Sequence, residues 1–232
     1  IQATGDVNQL LKTVPGVYIL EEDGYGLRPN IGIRGATSER SAKITLMEDG
    51  VLIAPAPYSN PEAYYFPTTL RMRSIEVLKG APLLRYGPQT TGGVVNLVST
   101  PIPDQDSGNL NLAYGQNNEV NLLANYGGQV GAFGYLLETS QRRSDGYKDI
   151  DRSSANTGFD LQDYVAKLAW EGERQSVLLK AQYSKETSDE TYLGLTDVDF
   201  DRDDTRRYGL SRIDKMDNDH QGYNAVYRLA LN

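Results

Sequence analysis

The chain has 232 residues, 39% of them hydrophobic and 23% charged, with 16 tyrosines, 23 glycines and no cysteine. Such a composition lies outside the disordered class and excludes disulfides and thiolate metal sites. The net charge of -8 argues against a nucleic-acid partner, because neutralising phosphates needs an excess of Lys and Arg.

The chain opens on Ile1-Gln2 with neither a methionine nor an apolar leader, so a trimmed front end is expected. Val7, Leu10, Leu11 and Val14 then fall at helical spacing, and Pro15-Gly16 stops the pattern. Short apolar runs follow between turn residues: Val17 to Leu20, Ile31 to Ile33, Ile44 to Met47, Ile75 to Leu78 and Val94 to Val98. Asp49-Gly50 separates two apolar stretches and is a hairpin signal, since glycine accepts the positive φ of a tight primed turn. Residues 1–104 therefore read as a small α+β unit, a short sheet packed with helix.

After Pro101-Ile102-Pro103 the pattern changes to runs of period two. Six runs carry it: Leu110 to Tyr114, Val120 to Tyr126, Phe133 to Leu137, Tyr164 to Trp170, Val177 to Tyr183, and Tyr223 to Leu231. No stretch of the chain approaches the roughly 18 consecutive apolar residues of a spanning helix, but runs of period two are what tilted strands need to cross a bilayer. Aromatic residues near the run ends fit an interfacial girdle. The connections Gly127 to Ala132 and Gly172 to Arg174 are short, whereas Arg142 to Asp160 and Glu186 to Gly222 are long and polar. Tight turns at one end and extended loops at the other suit an outer-membrane barrel. From periodicity alone a soluble antiparallel sandwich, with one face solvated, fits as well.

Read in order, "LLKTVPGVYI", "NIGIRG", "ITLMEDGV", "IEVLKGA" and "RYGPQTTGGVVNLVSTPIP" resemble the plug domain of TonB-dependent outer-membrane receptors. "APAPYSNPEAY" and the glycine-rich stretch resemble most the ferric citrate and siderophore receptor branch. The resemblance implies an α+β plug domain over 1–104, followed over 105–232 by the first six or so strands of an antiparallel transmembrane β-barrel of about 22 strands. It implies import of a ferric chelate, citrate or siderophore, across the bacterial outer membrane. The expected partners are the TonB-ExbB-ExbD complex and outer-membrane lipid, with a TonB box before Ile1 and the remaining strands after Asn232. No cofactor is expected, iron being part of the cargo. The competing class is a surface β-sandwich that binds sugar or protein without transport.

By the same resemblance, a ligand site on the plug's outer loops would use Arg28, Tyr58, Ser59, Asn60 and Glu62. Arg34 and Lys79 would pair with barrel-wall glutamates encoded after Asn232, with Lys79 standing where arginine is commoner and bidentate pairing is lost. Gly35, Gly50, Gly80, Gly87, Gly92 and Gly93 read as structural glycines that let the backbone turn or approach closely. A phosphate loop over Gly87 to Gly92 fails, because Gly93-Val94 stands where Lys and Ser/Thr are required. Asp197, Asp199 and Asp201 alternate like calcium ligands, but Arg202 occupies the position that needs glycine. The lone His220, without cysteine, makes no zinc site. Asp203-Asp204 beside arginines gives no acid and base at a working distance. No catalytic constellation is expected.

Overall fold

The computed structural model describes residues 5–53, 65–80, 86 and 91–231, which fall into two compact units, residues 1–101 and 102–232. Among the described residues no helix is long and apolar enough to cross a membrane, which says nothing about strands.

The first unit starts with α1 (Val7–Leu11), whose N-cap Asp6 accepts the amide of Asn8 at 2.9 Å. The helix ends before Val14, because the chain turns at Lys12 to Val14 toward Gly16, which sits at φ +74°. β1 (Val17–Leu20) and β2 (Asn30–Ile33) form an antiparallel pair. β3 (Ile44–Glu48), β4 (Val51–Leu52), β5 (Met72–Leu78) and β6 (Gly93–Ser99) form a four-stranded sheet in the order β4-β3-β6-β5. The expected hairpin is present: Asp49 and Gly50 both have positive φ, 52° and 80°, joining β3 to β4.

β6 lies in the interior of that sheet, parallel to β3 and antiparallel to β5. Its apolar run is the reason: Val94, Val95 and Leu97 are fully buried, and a strand covered on both faces needs no alternation. Val95 and Leu97 share a core with Val7, Leu11, Ile31, Ile33, Leu46 and Phe66. Each such side chain contributes roughly 1.5–3 kcal/mol through burial.

The second unit is a meander. β7 (Ser107–Tyr114), β8 (Val120–Val130), β9 (Phe133–Ser144), β11 (Phe159–Glu171), β12 (Gln175–Ser188) and β14 (Met216–Leu229) pair antiparallel in sequence order. Within its long connections, β10 (Asp149–Ile150) pairs parallel with β13 (Arg206–Arg207), and α2 spans Asp197–Arg202. Most of the strands outrun their apolar stretches. β8 continues through Gly127 to Val130, leaving Gly131-Ala132 as the turn, and the long connections shrink to 145–158 and 189–215. Hydropathy marks only the middle of each strand, whereas the backbone ladder continues through polar residues. The alternation of long and short connections survives this correction. Gly115 to Glu119, 145–158 and 189–215 lie at one end of the sheet, and Gly131-Ala132 and Gly172 to Arg174 at the other.

Candidate functional site

The six-stranded sheet is inside out relative to a soluble protein. On β11, Lys167 is 6% exposed while its neighbour Leu168 is 60% exposed. The same inversion holds on β9, with Glu138 and Arg142 buried and Leu137 exposed, and on β12, with Lys180 and Glu186 buried and Leu179 exposed. A solvated sandwich face would place charge in water and leucine inside. The sandwich reading fails on this point.

The polar face is ordered by register. Lys167 and Lys180 are direct cross-strand partners. Two rows on, Asp163 stands between Ser140 and Ser184, all of them buried. Glu138 accepts from the Asn125 amide at 3.1 Å, and the Arg142 guanidinium lies 5.2 Å from the centre of the Phe159 ring. A face of mixed charge suits a hydrated or plugged lumen, not a hydrocarbon core. Sequence reasoning passed over these residues because it treated them as spacers; the signal was their parity opposite the apolar set.

The apolar face is bounded by aromatic rows. Phe133, Trp170 and Tyr227 fall in one register row with Val177. Tyr164 and Tyr183 are cross-strand partners in another, stacked at 6.4 Å between ring centres. Their polar tips find partners: the Tyr183 hydroxyl donates to Asp219 at 2.7 Å and the Tyr227 hydroxyl to Gln175 at 3.0 Å. Rings with one apolar and one wet end belong at a bilayer interface.

At the long-loop end, Arg206 holds two loops together. It donates to both carboxylate oxygens of Asp151, Nε to Oδ1 at 3.0 Å and Nη2 to Oδ2 at 2.9 Å, and through Nη1 to Asp199 at 2.7 Å. Hydrogen bonding from Arg206 holds the Asp151 carboxyl below its usual range. Asp199 is lowered by the Tyr208 hydroxyl first, then by Thr196 and Arg206. The Arg206 guanidinium is raised in turn, mainly by Asp151. Buried Arg207, next in sequence, donates to Ser211 Oγ at 2.8 Å and to the Asp189 carbonyl. The acidic stretch considered for calcium is α2, with Thr196 as its N-cap, and Asp199 is already engaged. No cluster of three metal-ligating side chains occurs among the described residues.

In the first unit, Tyr58, Ser59, Asn60 and Glu62, and also Gly87, lie outside the described residues. Arg28 is only 6% exposed, and its amide, with those of Tyr25, Gly26 and Leu27, donates to the Asp23 carboxylate. Arg34 is exposed at φ 55°, its guanidinium 3.5 Å from where a Cβ on Gly80 would sit, and Lys79 donates to the Pro15 carbonyl. Gly92 and Gly93 are close-approach glycines: a Cβ there would meet the Lys43 carbonyl at 2.8 Å and Ile33 at 2.6 Å. Gly35, Gly50 and Gly80 all hold positive φ. Sequence reasoning missed a buried pair, Glu48 and Arg71, bidentate at 2.5 and 3.0 Å with the Tyr65 hydroxyl accepting from Arg71 at 3.3 Å.

Residues 1–94 match the family described as TonB-dependent Receptor Plug Domain. The chain is 28% identical over 165 residues to the vitamin B12 transporter BtuB of Vibrio vulnificus strain YJ016, covering 70% of this chain and 26% of that protein. Its fold matches the unliganded ferric citrate transporter FecA with a TM-score of 0.80 at 23% identity, over 98% of this chain and 35% of that one. It matches the ferric enterobactin receptor PfeA of Pseudomonas aeruginosa with a TM-score of 0.69 at 16% identity, over 99% of this chain and 37% of that one. The chain thus spans between 26% and 37% of these proteins.

Proposed function

From the match of residues 1–94 to the TonB-dependent receptor plug domain and the fold shared with solved receptors, we propose that the chain forms the plug and the opening wall strands of an importer in the bacterial outer membrane, one that carries a ferric chelate inward. The chain's role is transport, not catalysis. The observation that carries the reading is the inverted sheet: charge on the buried side, leucine on the exposed side, and aromatic rows at the boundaries. Only a strand wall with hydrocarbon outside makes that arrangement stable.

The cargo class in this reading is citrate-bound or siderophore-bound iron, with the metal arriving inside its chelate and no resident cofactor. Tyr58, Ser59, Asn60 and Glu62, together with Arg28, supply hydroxyl, amide and charged groups to an anionic chelate. Arg34 and Lys79, at neighbouring turns of the plug, anchor it by pairing with wall carboxylates. Energy comes from the inner-membrane potential, about 2.3 kcal/mol per charge per 100 mV, delivered by TonB with ExbB and ExbD. A second reading, cobalamin as cargo, is favoured by the vitamin B12 transporters among the sequence relatives.

The test uses the full-length gene. A deletion strain complemented with it is grown on ferric citrate, ferric enterobactin or limiting vitamin B12, with and without a functional TonB. Growth on one iron source that disappears without TonB is the expected result. Growth rescued only on vitamin B12 selects the second reading, and no TonB-dependent rescue on any of the three overturns both.

A further inference from the structure

We propose that the connections at the long-loop end, 115–119, 145–158 and 189–215, are laced into one flap that opens and closes as a single body, beyond the Arg206 staple that joins two of them. The lacing starts at a rigid turn. Asn117 and Asn118 both hold positive φ, 54° and 53°, and the Glu119 amide donates to the Gln116 carbonyl at 3.0 Å, the arrangement of a two-residue primed hairpin that asparagine tolerates. This turn is fastened to the next connection at Asp145. Its amide donates to the Asn117 carbonyl at 2.9 Å, its carboxylate accepts from the Asn118 side chain at 2.6 Å, and its carbonyl accepts from the Thr157 amide at 3.1 Å. The last of these bonds closes 145–158 at a neck, and Gly158 permits it: a Cβ there would lie 1.8 Å from the Ser144 carbonyl oxygen.

The neck is tied onward to 189–215. The Asp189 amide donates to the Gly158 carbonyl at 2.9 Å, the Asp189 carbonyl accepts from Arg207, and the Asp149 and Asp151 amides donate to the Thr205 and Arg207 carbonyls, each at 2.9 Å. Thr191 Oγ1 donates to Asp214 at 2.6 Å and draws the two ends of that connection together. A single exposed hydrogen bond barely offsets the entropy of ordering a loop. The β10–β13 pair is two residues long on each side, far short of a sheet that stands by itself. The connections are therefore ordered in company, and breaking the belt at one end loosens the other. On the importer reading above, on which its meaning for transport rests, this side of the mouth has two states, and a ligand touching one connection orders the rest.

The experiment follows single-amide hydrogen exchange in the full-length receptor in nonionic detergent, with no cargo present, at the Asp145, Thr157, Asp149, Asp151 and Asp189 amides. Asn118→Gly keeps the positive φ and removes the side chain; it is expected to speed exchange at Asp149, Asp151 and Asp189 on the order of fivefold, the opening equivalent of one lost hydrogen bond. Arg206→Gln should in turn speed exchange at Asp145 by a similar factor. Unchanged exchange along β9 and β11 reports that the wall has formed in each variant. Wild type at alkaline pH, where opening itself limits exchange, should show one opening rate for all of these amides, and these rates decide the matter if a variant does not pass the wall control. An Asn118→Gly effect confined to Asp145 and Thr157, an Arg206→Gln effect confined to Asp149, Asp151 and Asp189, or distinct opening rates in wild type would each overturn the flap and leave the importer reading intact. A full-length protein that does not fractionate with the outer membrane would overturn that reading and the flap's place in transport, while the exchange pattern still decides the flap.

Discussion

Glu48 and Arg71 face each other as a bidentate ion pair, their side chains 2% and 0% exposed, at the end of β3 and at the residue before β5. The Arg71 carbonyl also accepts from Thr100, while Asp49, next to Glu48, accepts from Ser99. Two charged partners therefore pin the strands around β6 at the point where the first unit ends.

Removing one member should cost about 3–5 kcal/mol, because the other charge stays buried without compensation. Arg71→Met in the intact receptor is expected to raise hydrogen exchange across β3, β5 and β6, and Glu48→Gln/Arg71→Met to recover much of the loss. A single variant with wild-type exchange would contradict the buried-pair assignment.

The loop staple gives an acid response. Asp151 and Asp199 have lowered folded pKa values, so each contributes stability above its unfolded value near 4 that is lost as pH falls through the lower folded value. Amides in 145–158 and 189–215 should be protected at neutral pH and deprotected together below about pH 4. Arg206→Gln should deprotect them at neutral pH and flatten the acid response. Hydrogen exchange against pH measures both.

Two glycine substitutions separate close approach from backbone handedness. Gly92→Ala forces a Cβ to 2.8 Å from the Lys43 carbonyl, a backbone atom that cannot swing away, and should cost about 1–3 kcal/mol. Gly50→Ala meets open space but must hold φ near +80°, for about 1–2 kcal/mol. Urea unfolding of the plug region should rank Gly50→Ala as the milder change, with Gly50→Asn nearly neutral.

Leu168→Arg should destabilise the folded receptor in phospholipid by about 2–4 kcal/mol, the cost of a cation facing lipid near the bilayer midplane. Leu210→Arg, at an exposed loop position, should stay within about 0.5 kcal/mol. Equal effects in denaturant-dependent folding into vesicles would argue against a lipid-facing β11.

On the proposed importer reading, Asn60→Ala should weaken binding of a ferric chelate already shown to bind the full-length protein at least tenfold, measured as a dissociation constant. Asn60 is the cleaner probe, because the buried Arg28 shares its loop with the amides gathered by Asp23, and its loss would disturb the fold as well.

Periodicity located every strand of the meander, because each residue reports its own face to whichever solvent lies there. It placed the strand ends short, at Leu137 and Tyr183 where β9 and β12 continue to Ser144 and Ser188, because ladder hydrogen bonds do not depend on side-chain polarity. The acidic stretch 197–204 read as a solvated loop and proved partly helical, since Thr196 caps it and that capping geometry leaves little trace in composition.

What the amino-acid order determined by itself was local: which positions alternate, where glycine must turn the backbone, which run is apolar enough for the middle of a sheet. Pairings between distant residues, Glu48 with Arg71, Arg206 with Asp151, Lys167 beside Lys180, were decided only by the tertiary structure. Their energy depends on separation and burial in space, and one-dimensional spacing carries neither.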